Sequence, residues 1–407
     1  MHSHTLVGWG SAAVIVLLNA SVALADEGAP ALPPDRAVAL AVAAHPDLRA
    51  AETVLSTAEA SRSASALFLS NPSTDAWVTH DGSRAELGLG QPVSLTGEGW
   101  HARRGARFAV DASSATLDRA RRRLAADVRL AYVDAVVAAG VVDVARDGSD
   151  LAGRLSFAVR RKHEEGEASA LELRLARLSE VQAAARLLHA RRDQADALRA
   201  LSALVLTPVA AEDIVQDPLS VAPPVREPAP AHRADVAAAE AALNAARAEL
   251  RRARAAAIPP LTVGVGADVE NGSMSAGPSV SMTFPLFDRN QTGRAQAIGG
   301  VHVAEGRLSS IHAMAETEQV TSMKRLEEAE AAAHEVAEAD LEEARAALAS
   351  IESGVLAGEI DLSTAVLLQT QVLDGEAAVV TLRGLLADAR IDRLLALDDD
   401  ALLGGGS

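Results

Sequence analysis

Gly166-Glu167-Ala168-Ser169 returns about 190 residues further along as Gly358-Glu359-Ile360-Asp361. An interval one residue longer separates Gln91-Pro92-Val93 from Phe284-Pro285-Leu286. A match at two places with nearly one offset marks a duplication of half the chain, and that settles the architecture before any local motif is read. Each half holds two strand segments between long helical segments. Four strands in one chain leave two open sheet edges, which further copies of the same chain would close into a pore.

Around each Gly-Glu pair the sequence reads as helix. Of sixteen prolines, none falls between Val93 and Thr207 or after Pro285, and helix interiors tolerate proline least. Leu117, Leu124, Val128, Tyr132 and Val136 lie four or seven apart, and Leu171, Leu175, Leu178, Ala185, Leu188, Ala195, Leu198 and Val205 continue in steps of three, four and seven. This is coiled-coil spacing with small residues in the seam. Gly166 ends the first helix and Ser169 caps the next. In the second half Leu341, Leu348, Ile351 and Val355 lead to Gly358, Asp361 caps, and Leu362, Val366, Leu373 and Val380 follow. From Gly97 to Lys162 a continuous helix would be on the order of 100 Å long.

The strand segments keep a period of two. Ala85, Leu87, Leu89, Val93 and Leu95 alternate with Glu86, Gly88, Gly90, Pro92 and Ser94, with Gln91 the exception. Leu261 to Val269 and Val280 to Leu286 alternate in the same way, whereas Ser73 to His80 does so poorly. Asp81-Gly82 and Asn271-Gly272 read as hairpin turns. Apolar residues on one face and small or polar ones on the other, over about ten residues, suit a transmembrane β-barrel. A half-buried sheet in a soluble protein has the same period.

The composition narrows the functional classes. Aromatic residues make up 2% of the chain, the net charge is −17 and there is no cysteine. Ala, Leu, Glu and Arg in excess suit long helices, and the acidic balance speaks against nucleic acid as a partner. Residues 12–25 pair a short apolar run with Ala23-Leu24-Ala25, the pattern of a signal peptide. The eleven histidines have no ligand spacing, and neither a phosphate-binding loop nor a nucleophile elbow is present, so no cofactor, metal or enzymatic activity is expected. The acidic run from Glu316 to Glu343 reads first as a solvated helix face and second as tunnel lining.

The expected organisation is a signal peptide over 1–25, N-terminal helices over 26–70, a β-hairpin over 71–96 and a helical hairpin over 97–206. A Pro-rich linker over 207–231 then leads to a helix over 232–258, a β-hairpin over 259–287, a helical hairpin over 288–401 and a flexible tail over 402–407.

Asn71-Pro72, Gln91-Pro92-Val93, the paired Gly-Glu tips and the run from Phe284 to Gly293 together resemble the TolC-like outer-membrane efflux proteins, and the last of these is most similar to the heavy-metal (CzcC-like) branch. The resemblance implies a mainly α fold with a small β part: a homotrimer whose twelve-stranded outer-membrane barrel continues as a long periplasmic α-helical barrel. It implies a tripartite system with an inner-membrane RND pump and a periplasmic membrane-fusion adaptor that docks at the tips, here Gly166, Ser169, Leu171, Gly358 and Leu362. Glu164, Glu165, Glu167, Glu172, Glu359 and Asp361 are expected to form an acidic pore entrance. Trp77, Trp100, Phe284 and Phe287 are expected at the interfaces with outer-membrane lipid. A poreless exported coiled-coil scaffold and a type I secretion channel are the competing readings.

Overall fold

The computed structural model describes residues 32–65, 71–79, 84–225, 233–270, 272–283, 285, 287–335, 346, 350–351, 353–355, 357 and 359–404. The expected signal peptide, Asp81-Gly82, Asn271, Phe284 and Gly358 lie outside them. Helices α1 (Pro34–Ala44) and α2 (Pro46–Ala64) precede strands β1 (Ser73–Val78) and β2 (Arg84–Val93). Helix α3 (Glu98–Glu164) then runs for 67 residues and turns back into α4 (Ala170–Val205). The second half repeats the order with α5 (Ala234–Ala255), β3 (Leu261–Glu270), β4 (Ser273–Met282), α6 (Gln291–Glu335) and α7 (Leu362–Leu397).

The four strands form one antiparallel sheet in the order β1-β2-β3-β4, so β1 and β4 are its edges. Register follows from the two-residue period. Leu87 pairs with Ala267, Leu89 with Val265 and Val93 with Leu261, while Ala76 and Met282 extend the same face onto the edge strands. That face is apolar apart from Thr74 and Gln91, and Leu87, Val265, Met274 and Val280 on it are exposed. The opposite face carries Asp75, Glu86, Asp268 and glycines and serines. Among the described residues no element covers the apolar face, as a soluble sheet would require. The fourth strand begins earlier than its alternation suggests and ends at Met282.

Helix α3 organises the rest. Near the sheet it packs between α2 and α5; toward its far end it packs between α4 and α7. The small residues in its seam permit close approach: a Cβ placed on Gly148 would lie 2.5 Å from Leu373 of α7. At mid-length the core thickens into a collar where α1, the segment after α4 and the end of α7 meet α3. The Pro-rich stretch contributes two 3-10 turns, Ala211–Asp213 and Pro218–Ser220, and buries Val209, Ile214 and Val221 there.

Two polar side chains of α3 hold this collar together. Tyr132, fully buried, donates to the Leu32 carbonyl at 2.7 Å and accepts from the Val215 amide at 3.0 Å. Arg129, 2% exposed, donates to the carbonyls of Leu402 and Val221 and to the Asp35 carboxylate. One guanidinium thus fastens the first helix, the linker and the chain's last turn to α3. Burial of such a charge is tolerated because each of its three nitrogens finds an acceptor.

Candidate functional site

The two helical tips lie side by side at the end opposite the sheet. At the first, α3 stops where Gly166 adopts φ +83°. The Glu167 amide donates back to the Lys162 carbonyl at 2.8 Å. Glycine enters this left-handed conformation without the steric cost of a Cβ, which is why the helix ends there. Ser169 then opens α4 with a capping box: its Oγ accepts from the Glu172 amide at 3.2 Å, and Glu172 Oε2 accepts from the Ser169 amide at 2.6 Å. At the second tip Asp361 Oδ1 accepts from the Thr364 amide at 2.6 Å.

The tips are joined as well as adjacent. Lys162 Nζ donates to the Val355 carbonyl at 3.1 Å, and Val159, Ala176 and Leu362 bury one another with Leu173 and Val366 around them. Leu362 is therefore 5% exposed, which takes its side chain out of the expected docking surface. Heptad spacing places it on a seam, and the facing seam of the first hairpin fills it. Gly166, Ser169 and Leu171 remain on the surface, Leu171 with two-thirds of its area open.

The acidic residues divide in two. Glu172 and Asp361 are engaged in capping, and the backbone amides of Ser169 and Thr364, respectively, hold their carboxyls below the ordinary range. Glu164, Glu165, Glu167 and Glu359 are exposed at the tip surface, with Glu165 3.8 Å from Arg161. Of the six carboxylates, Glu172 and Asp361 are thus held in caps and the other four are not.

Near the sheet, Trp100 and Phe287 are exposed at its helical end, Phe287 almost entirely. Trp77 is placed differently. Its register partner is Glu86 and it shares a face with Asp75, so it belongs to the polar side and not to the apolar face where lipid contact was expected. The period of two explains this, since alternation from Ala76 and Val78 carries Trp77 to the other side.

A feature unforeseen from the sequence lies along α3 and α7. Asp388 is pushed up to about 7, first by burial and then by the charges of Asp134 and Asp392. Burial also raises Asp134 and Asp127. Asp388 Oδ1 has no hydrogen-bond partner among the described residues. The spacing of Asp127 and Asp134 by seven, and of Asp388 and Asp392 by four, was a visible signal that each pair occupies one helix face. A second missed group surrounds Asp398, which receives Arg119 at 3.0 Å and Arg122 at 3.2 Å, while Arg233 binds Asp235 and Glu318. Glu318, still exposed as expected for the acidic run, is thus ion-paired there.

A two-faced sheet with free edges on top of long paired helical hairpins is the fold of an outer-membrane channel protomer. The sequence profile of the outer membrane efflux protein family matches residues 37–205 and again 225–397, one match to each half. The chain belongs to that family. No curated protein sequence matches it. Among solved structures, a membrane protein from Pseudomonas aeruginosa is similar with a TM-score of 0.74 and 22% identity, over 89% of this chain and 93% of that one. The CmeC outer membrane channel of Campylobacter jejuni gives 0.70 and 16% over 90% and 85%, and the outer membrane protein VceC of Vibrio cholerae 0.70 and 16% over 90% and 96%. At these identities the likeness is one of fold.

Proposed function

We propose that the protein is the outer-membrane channel of a tripartite efflux system, active as a homotrimer with an RND pump and a membrane-fusion adaptor. One observation carries this reading: the sheet has a bare apolar face and two unpaired edges, β1 and β4. In lipid every backbone amide and carbonyl must be paired, so a four-stranded open sheet needs further copies to close it. Three copies give twelve strands. Below them α3, at 67 residues, extends on the order of 100 Å, enough for a conduit reaching well into the periplasm.

Cargo passes through such a conduit without chemistry. Exposed Glu164, Glu165, Glu167 and Glu359, repeated around the axis, would place negative charge at the mouth and favour cations. Heavy-metal cations are accordingly the substrate class we assign, supported by the similarity of residues 284–293 to the heavy-metal branch. The exposed surface around Gly166, Ser169 and Leu171 is the adaptor-docking face.

Mass measurement of detergent-purified protein with planar-bilayer recording tests the channel. Trimers that conduct are expected; strictly monomeric, silent material refutes it. Deletion of the gene should sensitise cells to divalent heavy metals, and unchanged tolerance would reject that cargo while leaving the channel standing.

A further inference from the structure

Just below the sheet the charge of this acidic chain reverses. Within residues 98–108, 249–258 and 287–295 there are eight arginines and three carboxylates. Hydrogen bonds hold these three segments at one level. Arg103 Nε donates to the Ser65 carbonyl at the end of α2, Arg252 reaches Glu98 across from α5 to α3, and Asn290 Nδ2 donates to the Ala253 carbonyl. Arg252 engages both Glu98 and Glu249. Arg104, Arg107, Arg251, Arg254, Arg289 and Arg294 are exposed and have no carboxylate partner among the described residues. Around the collar, by contrast, Arg119, Arg122, Arg129 and Arg233 all bind carboxylates. The far end of the sheet carries the opposite sign, with Glu86, Asp268 and Glu270.

The unpaired arginines sit among apolar surface. Arg104 lies over the rings of Trp100 and Phe108 at 5.4 and 5.6 Å. Arg289 and Arg294 border a cleft of about 470 Å³ whose other walls include Ile258, Pro259, Met282 and Pro285. An apolar cleft with a cationic rim, continuous with a lipid-facing sheet, complements an amphiphile with an anionic head.

We infer that this arginine belt binds the phosphate headgroups of anionic phospholipids in the periplasm-facing leaflet, with Arg289 and Arg294 at the cleft and Arg104 on its aromatic platform. The inference rests on the reading of the sheet as the membrane-spanning part. Guanidinium pairs with phosphate through two parallel hydrogen bonds, and adjacent aromatic rings hold it at the interface without a competing carboxylate. The belt would fix how far the sheet sinks into the membrane.

The test uses the full-length protein, reconstituted with equal phosphatidylglycerol and phosphatidylcholine, re-extracted in mild detergent and assayed for retained lipid by mass spectrometry. Wild-type protein should retain phosphatidylglycerol about fivefold over phosphatidylcholine. The triple variant R104Q/R289Q/R294Q should bring this ratio to about one, while R104K/R289K/R294K keeps at least about half of the enrichment. Inorganic phosphate at about 50 mM should not displace the lipid, because the acyl chains are held too. Absence of preference in the wild type, an unchanged ratio in the glutamine variant, or displacement by phosphate alone overturns the proposal. So does a glutamine variant that loses its oligomer at an unaltered lipid ratio, which would mean a neighbouring copy covers the cleft. Conductance in the same phosphatidylglycerol–phosphatidylcholine mixture, recorded in parallel, separates the two readings: a silent wild type that still enriches phosphatidylglycerol refutes the channel and leaves the lipid site.

Discussion

The collar and the tips are both places where the two halves of the duplication meet, yet they are built on opposite terms. At the collar, buried arginines meet carbonyls and carboxylates from elements far apart in sequence, and Tyr132 is closed off from water. At the tips the hydrogen bonds are local caps apart from Lys162 to the Val355 carbonyl, and the buried contact is a small cluster around Val159, Ala176 and Leu362. Local caps can open and reform without disturbing the rest of the chain, whereas the collar's bonds break only if several segments separate together. The difference assigns rigidity to the middle of the helices and freedom to their ends, where a channel must open.

The largest effect should come from Arg129→Ala. It leaves the buried carbonyls of Leu402 and Val221 without their donor, at about 1–3 kcal/mol each, while the exposed Asp35 carboxylate regains water, so trimer yield and thermal stability should both fall sharply. A mild phenotype would remove the distinction between the two regions.

Asp388→Asn should act in the other direction. An acid whose folded pKa of about 7 exceeds its unfolded value near 3.9 takes up a proton on folding between those limits. Its native environment is harmless while it stays protonated and becomes progressively destabilising as pH rises through that window. Asparagine should therefore stabilise the protein at pH 8, on the order of 1–2 kcal/mol after allowance for solvent screening, and hardly at all near pH 4. Melting temperatures across pH check this; a pH-independent difference would contradict it.

Ser169→Ala should remove the capping box at a cost of about 1 kcal/mol confined to the tip. Hydrogen exchange should quicken over the first turn of α4 while collar amides stay protected. Smallest in stability, Glu167→Gln with Glu359→Gln should leave melting unchanged, since both are exposed, and lower cation selectivity in bilayer recordings. Equal slowing or quickening at collar and tip would show that the two regions are not energetically separate.

Much of this was legible in the residues themselves. Proline-free runs with heptad spacing located α3 and α4, and Ser169 and Asp361 declared themselves as caps because Ser and Asp side chains reach the amide three residues on. The alternation of β2 and β3 already showed which of their residues share a face. What stayed hidden depended on partners remote in sequence. Leu362 is apolar at a seam position, but spacing alone does not say that Ala176 covers it. Arg129 reads like any surface arginine of an Arg-rich helix until Leu402 and Val221 are brought to it by the fold. Trp77 was misplaced because β1 has alternation too weak to assign its faces.

The unpaired edges have a genetic corollary. Every copy supplies one β1 and one β4, so a copy spoiled at either edge still occupies a place through its intact side. Damage there should be dominant: expressing an edge-blocked copy, for instance with proline inserted in place of Met274 or Thr74, alongside the normal one should poison most assemblies rather than dilute them.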